Sequence, residues 1–232
     1  MDLSELKKQV LEANRALETS GLVRLTWGNV SGIDRKSGQV VIKPSGVPYH
    51  ELKKEHLVVL DLNGNKIEGD LNPSSDTPTH LALYRAFPGI GGVAHTHSIY
   101  ATMFAQAGRE IPCFGTTHAD HFSGTIPLAR HLTPAEVEED YEGNTGKCII
   151  ERIEKLNPME MPGVLLHGHA PFTWGKDATT ALVNSIALEA VAEMAWGTLL
   201  LAPGKTALPP HIMDKHYSRK HGAGAYYGQK GK

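Results

Sequence analysis

Residues 89–98 read GIGGVAHTHS and place two histidines, His95 and His97, two positions apart at the end of an apolar run. Val93 and Ala94 make that run strand-like. In a β-strand, residues i and i+2 point to the same face, so the two imidazoles project together from the strand's end. A second His-x-His, His167-Gly168-His169, closes another apolar run at 164–166. One such pair is explained as well by an exposed strand end. Two pairs, each closing a strand-like run, predict a metal site built from imidazoles.

At 232 residues the chain is long enough for one large domain with a single substantial core. Its 41% apolar and 21% charged residues are ordinary for a globular protein. A net charge of −2 offers no basic stripe for nucleic acid. No apolar run approaches the ~20 residues that cross a bilayer. The polar N-terminus lacks a signal-peptide core, and Cys113 and Cys148 have no CxxC spacing. The expected setting is therefore a reduced cytoplasm, with no membrane or nucleic-acid partner.

Apolar periodicity predicts an amphipathic helix over residues 3–18, with Asp2 and Glu5 as a capping box. Strands are expected at 22–27, 30–33 and 39–43, then at 57–62 and 66–68 around the Asn63-Gly64 turn. The polar run Asn72-Pro73-Ser74-Ser75-Asp76-Thr77-Pro78 leads into a helix over 77–87. Such a helix N-terminus can seat an anion, but plain capping by Ser74, Ser75 or Asp76 is the commoner use. A short helix after Ser98, strands at 111–116 and 125–128, and helices over 133–156 broken near Gly143 follow. Strands at 164–169 and 171–174 precede a long helix over 177–201, whose apolar stripe reads as core packing. Residues 203–210 form a linker and 211–221 a polar helix. Tyr226 and Tyr227 then stand in a Gly-rich tail, where they have a purpose only by docking on a neighbouring subunit or serving a site. His50-Glu51 lacks the second histidine of HExxH, and Gly89-x-Gly91 precedes a strand rather than a helix. Metalloprotease and dinucleotide-binding readings both fail.

His95, His97 and one of His167 or His169 would supply three imidazoles. With a carboxylate, Asp76 or Asp120 on spacing alone, the set suits Zn²⁺, with Mn²⁺ or Co²⁺ as substitutes. Such an ion acts as a Lewis acid on a carbonyl or an enediolate. Lys43, Ser45 and Gly46, with the helix N-terminus, would receive a phosphate, so a phosphorylated sugar is the expected substrate.

The segments TWGNVSG, KPSG, PSSDTPTH, HTHS, GTTHAD, HGHAPF and KHYSRKHGAGAYYGQ closely resemble the L-ribulose-5-phosphate 4-epimerases of the class II aldolase/epimerase superfamily. KPSG and HTHS are superfamily-wide; SSDTPTH, GTTHAD and the C-terminal block are more particular to the epimerases. The resemblance covers nearly the whole chain. It implies one class II aldolase-like domain over 1–232, an α/β fold with three α/β/α layers about a predominantly antiparallel sheet. It also implies a homotetramer with active sites between subunits, residues 203–232 reaching a neighbouring subunit. Position by position, it implies a metal, usually zinc, held by Asp76, His95, His97 and His169, with His167 in support. Gly28, Asn29, Lys43, Ser45 and Gly46, with Ser74 and Ser75, would meet the substrate phosphate and nearby hydroxyls. His216 and Arg219 would stand near the site. Asp120 and Tyr227, the latter from an adjacent subunit's tail, match the family's acid/base pair.

The implied reaction interconverts L-ribulose 5-phosphate and D-xylulose 5-phosphate, a step that arabinose, ascorbate and gulonate breakdown could all use. C4 is not α to the carbonyl, so deprotonating it directly would leave an unstabilised carbanion. Deprotonating the C4 hydroxyl and breaking C3–C4 is a retro-aldol step. It yields a metal-bound enediolate of dihydroxyacetone and glycolaldehyde phosphate. Rotating the aldehyde and re-forming the bond inverts C4, which requires an acid/base group on each face. An L-fuculose-phosphate-type aldolase would release the fragments instead; those aldolases look to use Glu where this chain has the shorter Asp76. A non-catalytic sugar-phosphate sensor is the remaining alternative, and the intact acid/base candidates argue against it.

Overall fold

The computed structural model describes residues 2–221 and 224–227. Eight strands form one sheet in the order β4-β3-β2-β1-β5-β8-β7-β6. They are β1 Gly28–Asp34, β2 Gln39–Ile42, β3 Val58–Leu60, β4 Lys66–Glu68, β5 Gly92–Thr96, β6 Leu128–Ala129, β7 Gly163–Leu166 and β8 Pro171–Gly175. Every pairing is antiparallel except that of β6 with β7. The helices are α1 Leu3–Thr19, α2 Thr77–Ala86, α3 Ile99–Gln106, α4 Thr116–Ala119, α5 Pro134–Ile153, α6 Ala178–Leu201 and α7 Pro210–His221. The expected α/β architecture with a mostly antiparallel sheet is present. None of the described helices is long and apolar enough to cross a membrane.

The period-two alternation of the strands sorts their side chains into two cores. Val30, Val41, Val59 and Ala94 pack with α1 and the start of α6. Ile33, Val40, Val93, Phe172 and Trp174 join α2, α3 and α5 in the other core. Helix α6 lies close against the sheet because the strand positions beneath it are small. A Cβ at Gly92 would collide with the backbone of Asp177, and one at Gly163 would stand 2.9 Å from Leu188 Cδ1. The apolar stripe of α6 is core only in part: Leu182 and Val191 are buried, whereas Ile186 and Met194 are exposed.

Several expected elements differ, each for a local reason. Residues 22–27 form a turn, not a strand: Leu25 takes a φ of 52°, and the Trp27 N–H donates to Arg24 O at 3.0 Å. Leu22 and Val23 are apolar because they plug the α1 core. Residues 111–116 carry only an isolated bridge, Ile111 to Ile126, and the expected strand at 125–128 shrinks to β6. The kink in α5 falls at Asp140 (φ −166°, ψ 88°), three residues before the expected break. Asp140 Oδ1 accepts from the Gly143 N–H at 3.1 Å and so caps the helix as it resumes.

Arg35, just past β1, clamps the C-terminal end of α2. Its Nε donates to Ile90 O at 2.9 Å, Nη1 to Tyr84 O at 2.8 Å, and Nη2 to Phe87 O at 2.8 Å. Tyr84 O lies in the last turn of α2, where helix carbonyls lose their intrahelical partners, Phe87 is the C-cap and Ile90 O lies just beyond it. Arg35→Ala is expected to cost about 3 kcal/mol, since charged donors are lost to several acceptors at once. The urea midpoint should fall at unchanged m-value; a midpoint within error of wild type would remove the clamp from the fold's stability.

Candidate active site

Strand β5 presents His95 on the face it shares with Val93, and His97 follows directly beyond its end. The second histidine pair does not lie on a strand. β7 stops at Leu166, and the chain reverses through Gly168, whose φ of 72° is open to glycine at little cost. That reversal separates the pair. His167 stacks on His131 with ring centroids 3.6 Å apart, while His169 turns toward the first two histidines.

His95 Nε2 lies 3.1 Å from His97 Nε2, which lies 3.3 Å from His169 Nε2. Ligand nitrogens of all three fall within 4.8 Å of one another. His95 Nδ1 is 3.0 Å from Pro171 O, and a carbonyl only accepts, so Nδ1 carries the proton and Nε2 offers a lone pair. Burial, then the neighbouring His95, holds His97 and His169 down to about 4, so both are neutral at pH 7. Neutral imidazoles converging on one point are the donor set that zinc or a similar borderline ion takes.

Asp76 stands at the N-cap of α2 without a side-chain capping bond. Its Oδ2 accepts from Asn29 Nδ2 at 2.6 Å, and its oxygens lie outside the three-nitrogen cluster. Burial pushes its carboxyl up, but His95, His80 and the Asn29 hydrogen bond outweigh this and hold it below the usual range. Asp76 is therefore a carboxylate on the wall of the histidine cleft.

That cleft has a volume of about 420 Å³. Gly28, Asn29, Lys43, Ser45, Gly46, Ser74 and Ser75 all line it, together with Asp76 and the three histidines. Lys43 is the feature that most constrains its ligand. Only 2% exposed, it lies with Nζ 4.9 Å from the Tyr49 ring centroid and pairs with no carboxylate among the described residues. Burial lowers its ammonium to about 8, still mostly charged at neutral pH. A buried cation without a counterion makes an anion seat. Sequence reasoning missed Trp27, Tyr141 and Glu142, which also line the cleft. The kink at Asp140 brings in the last two, and the only advance signal was an Asp three residues before a Gly inside a helix.

The remaining predicted residues gather elsewhere. Asp120, at the C-cap of α4, accepts from Arg219 Nε at 3.0 Å, Arg219 Nη2 at 2.7 Å and His216 Nδ1 at 3.1 Å, all from α7. Burial raises its carboxyl, but Arg219, His216 and Lys220 overcome this and hold it low. Tyr227 lies with its ring centroid 5.1 Å from Arg219 Cζ and 4.5 Å from Lys220 Nζ. None of Asp120, His216, Arg219 and Tyr227 lines the histidine cleft. One chain thus carries a histidine cleft and, apart from it, a cluster of Asp120, His216, Arg219 and Tyr227. Residues 222–223 and 228–232 of the tail lie outside the described residues.

The family model for the class II aldolase and adducin N-terminal domain matches residues 8–196. The chain is 53% identical over 228 residues to L-ribulose-5-phosphate 4-epimerase UlaF of Salmonella paratyphi A, covering 98% of this chain and 100% of the relative. The protein of the same name from Salmonella typhi matches to the same extent. Among solved structures, an L-fuculose 1-phosphate aldolase matches with a TM-score of 0.75 at 26% identity, over 94% of this chain and 97% of its own. YgbL from Klebsiella pneumoniae gives a TM-score of 0.75 at 22% identity over 93% and 99%, a likeness of fold alone. A family match over most of the chain and a half-identical relative matched along its whole length lead to one conclusion: the chain belongs to the class II aldolase family, in the group of the L-ribulose-5-phosphate 4-epimerases.

Proposed function

We propose that this protein is a metal-dependent L-ribulose-5-phosphate 4-epimerase, interconverting its substrate with D-xylulose 5-phosphate by cleaving and re-forming C3–C4. The observation that carries the chemistry is the convergence of His95, His97 and His169 in a cleft also lined by Lys43, which has no carboxylate partner among the described residues. The full-length likeness to curated epimerases supports the choice of substrate.

A Zn²⁺ ion, or Mn²⁺ or Co²⁺ in its place, would be held by His95, His97 and His169 with Asp76 as the fourth group. When bound, it supplies a Lewis acid for the negative charge that C3–C4 cleavage leaves on the three-carbon fragment. The protein's own groups do the rest. Lys43, Ser45, Gly46, Ser74 and Ser75 hold the phosphate, with Gly28 and Asn29 beside them, and this anchors glycolaldehyde phosphate while its carbonyl turns over. Asp120 and Tyr227 hold and return the proton of the C4 oxygen on opposite faces, with His216 and Arg219 orienting Asp120. Both acid/base groups lie in one cluster away from the cleft of their own chain, which supports a site completed by a neighbouring subunit. A cyclic homotetramer in which the Asp120 and Tyr227 cluster of one chain faces the histidine cleft of the next accounts for this division.

The test is a coupled assay for D-xylulose 5-phosphate with the metal-loaded protein and L-ribulose 5-phosphate. Product is expected without free glycolaldehyde phosphate. Release of that aldehyde would mark an aldolase, and no turnover at full metal occupancy would sink the proposal.

Lys43 gives the reaction a pH signature. A phosphate seat needs the ammonium form, which is present below about 8 and lost above it. KM for the sugar phosphate should therefore stay level up to that pH and climb beyond it. Lys43→Arg, which does not titrate in this range, should flatten the rise. An alkaline limb identical in the variant would take Lys43 out of phosphate binding.

A further inference from the structure

The three histidines of the cleft are not equally well supported. His95 is paired within the sheet, hydrogen-bonded through Nδ1 to Pro171 O and stacked on Phe172 at 4.1 Å. His97 has no side-chain hydrogen bond outside the cluster among the described residues, and His169 Nδ1 is buried without a partner. The rings of His97 and His169 are therefore aimed by their backbones, and both backbones are tied to α3. Only Ser98 separates His97 from the first residue of α3. Near the other end of the helix, Ala105 O accepts from the Gly168 N–H at 2.9 Å, beside His169. A shift of α3 moves two of the three histidines.

What fixes α3 comes from α6. Ser98 occupies the N-cap but makes no capping bond, and its Oγ is buried without a partner. Glu189 meets the first-turn amides instead. Its Oε1 accepts from the Tyr100 N–H at 2.9 Å and its Oε2 from the Ala101 N–H at 3.0 Å. A carboxylate bridging two amides at a helix N-terminus meets the positive end of the helix dipole and fixes orientation as well as position. The Tyr100 ring also packs on Trp196 of α6, with centroids 5.6 Å apart.

We propose that Glu189 is a positioning residue for the metal site: it docks the first turn of α3 on α6 and thereby sets the aim of His97 and His169. The inference rests on reading those histidines as metal ligands. Supporting groups of this kind typically change metal affinity about 10–100-fold when removed.

The experiment measures Zn²⁺ affinity of the full chain by competition with a chromophoric chelator, for wild type, Glu189→Gln and Arg35→Ala. Glutamine keeps the shape but offers one acceptor and turns an N–H₂ toward the second amide. Glu189→Gln is expected to bind Zn²⁺ about 10–100-fold more weakly, with faster hydrogen exchange at the Tyr100 and Ala101 amides. Arg35→Ala, destabilised at the far end of α2, is expected to bind as wild type does. Equal affinity in wild type and Glu189→Gln would overturn the inference alone. So would an equal loss in Arg35→Ala, which would trace the effect to general stability. A wild-type chain that binds no Zn²⁺ would overturn the metal reading and the inference with it.

Discussion

Replacing His97 by asparagine is expected to empty the metal site and lower turnover about a thousandfold, while the fold survives. Loss of a Lewis acid removes several kcal/mol of charge stabilisation, and each ~1.4 kcal/mol is a factor of ten. Asparagine is shorter than histidine and offers an amide oxygen where the site needs a ring nitrogen. The fold tolerates the change because His97 lies just past β5 and makes no hydrogen bond outside the cluster among the described residues. His167→Asn is the internal control. It removes the same residue type two positions from His169, but its ring stacks on His131 instead of joining the cluster. Metal content measured by elemental analysis should fall in the first variant and hold in the second. Full metal and full activity in His97→Asn would strike His97 from the ligand set, and loss in His167→Asn would show that the stacked pair supports the turn.

That contrast also marks how far the sequence could be read. The i,i+2 rule placed His95 and His97 together because β5 is a strand through Thr96. The same rule misleads at His167 and His169, since periodicity does not record where a strand stops and Gly168 reverses the chain between them. Lys43, Ser45 and Gly46 were readable as a candidate anion seat from residue type and position, whereas Ser74 read first as a plain cap. The fact that gives Lys43 its force, burial with no carboxylate partner among the described residues, depends on its packing against Tyr49 and exists only in three dimensions. Tyr141 and Glu142 stayed hidden because a capping Asp inside a helix looks like any solvated acidic residue. The turn at 22–27 was hidden because Leu25 is an unlikely residue for a positive φ. In α6 the expected apolar stripe was right only in part: the buried face runs through Ala181, Ser185, Leu188, Ala192 and Ala195, and Ile186 and Met194 are left exposed. Glu189 reads in sequence as an ordinary helix former; its role needs α3 laid across it.

The other large effect concerns Asp120 and Tyr227, the proposed acid/base pair. Asp120→Asn and Tyr227→Phe should each lower turnover about 10²–10⁴-fold, the usual contribution of a positioned proton-transfer group, with metal content unchanged. The phenol is the cleaner probe, because Tyr227 is 62% exposed and contributes little to the core. Asp120 also anchors α7 through Arg219 and His216, so Asp120→Asn is expected to loosen that helix as well. The decisive measurement combines the two halves of the site. Tyr227→Phe keeps the histidine cleft, and His97→Asn keeps the acid/base cluster. If sites form between subunits through a head-to-tail contact, unfolding and reassembling a one-to-one mixture of these two inactive variants places an intact cleft beside an intact cluster at some interfaces. Random assembly makes that about one site in four, so about a quarter of wild-type turnover should return. Were each chain to close its own cleft with its own Tyr227, no mixture could recover activity. Recovery to about a quarter, with metal in only half of the chains, is the outcome that the separation of Asp120 and Tyr227 from the cleft leads us to expect.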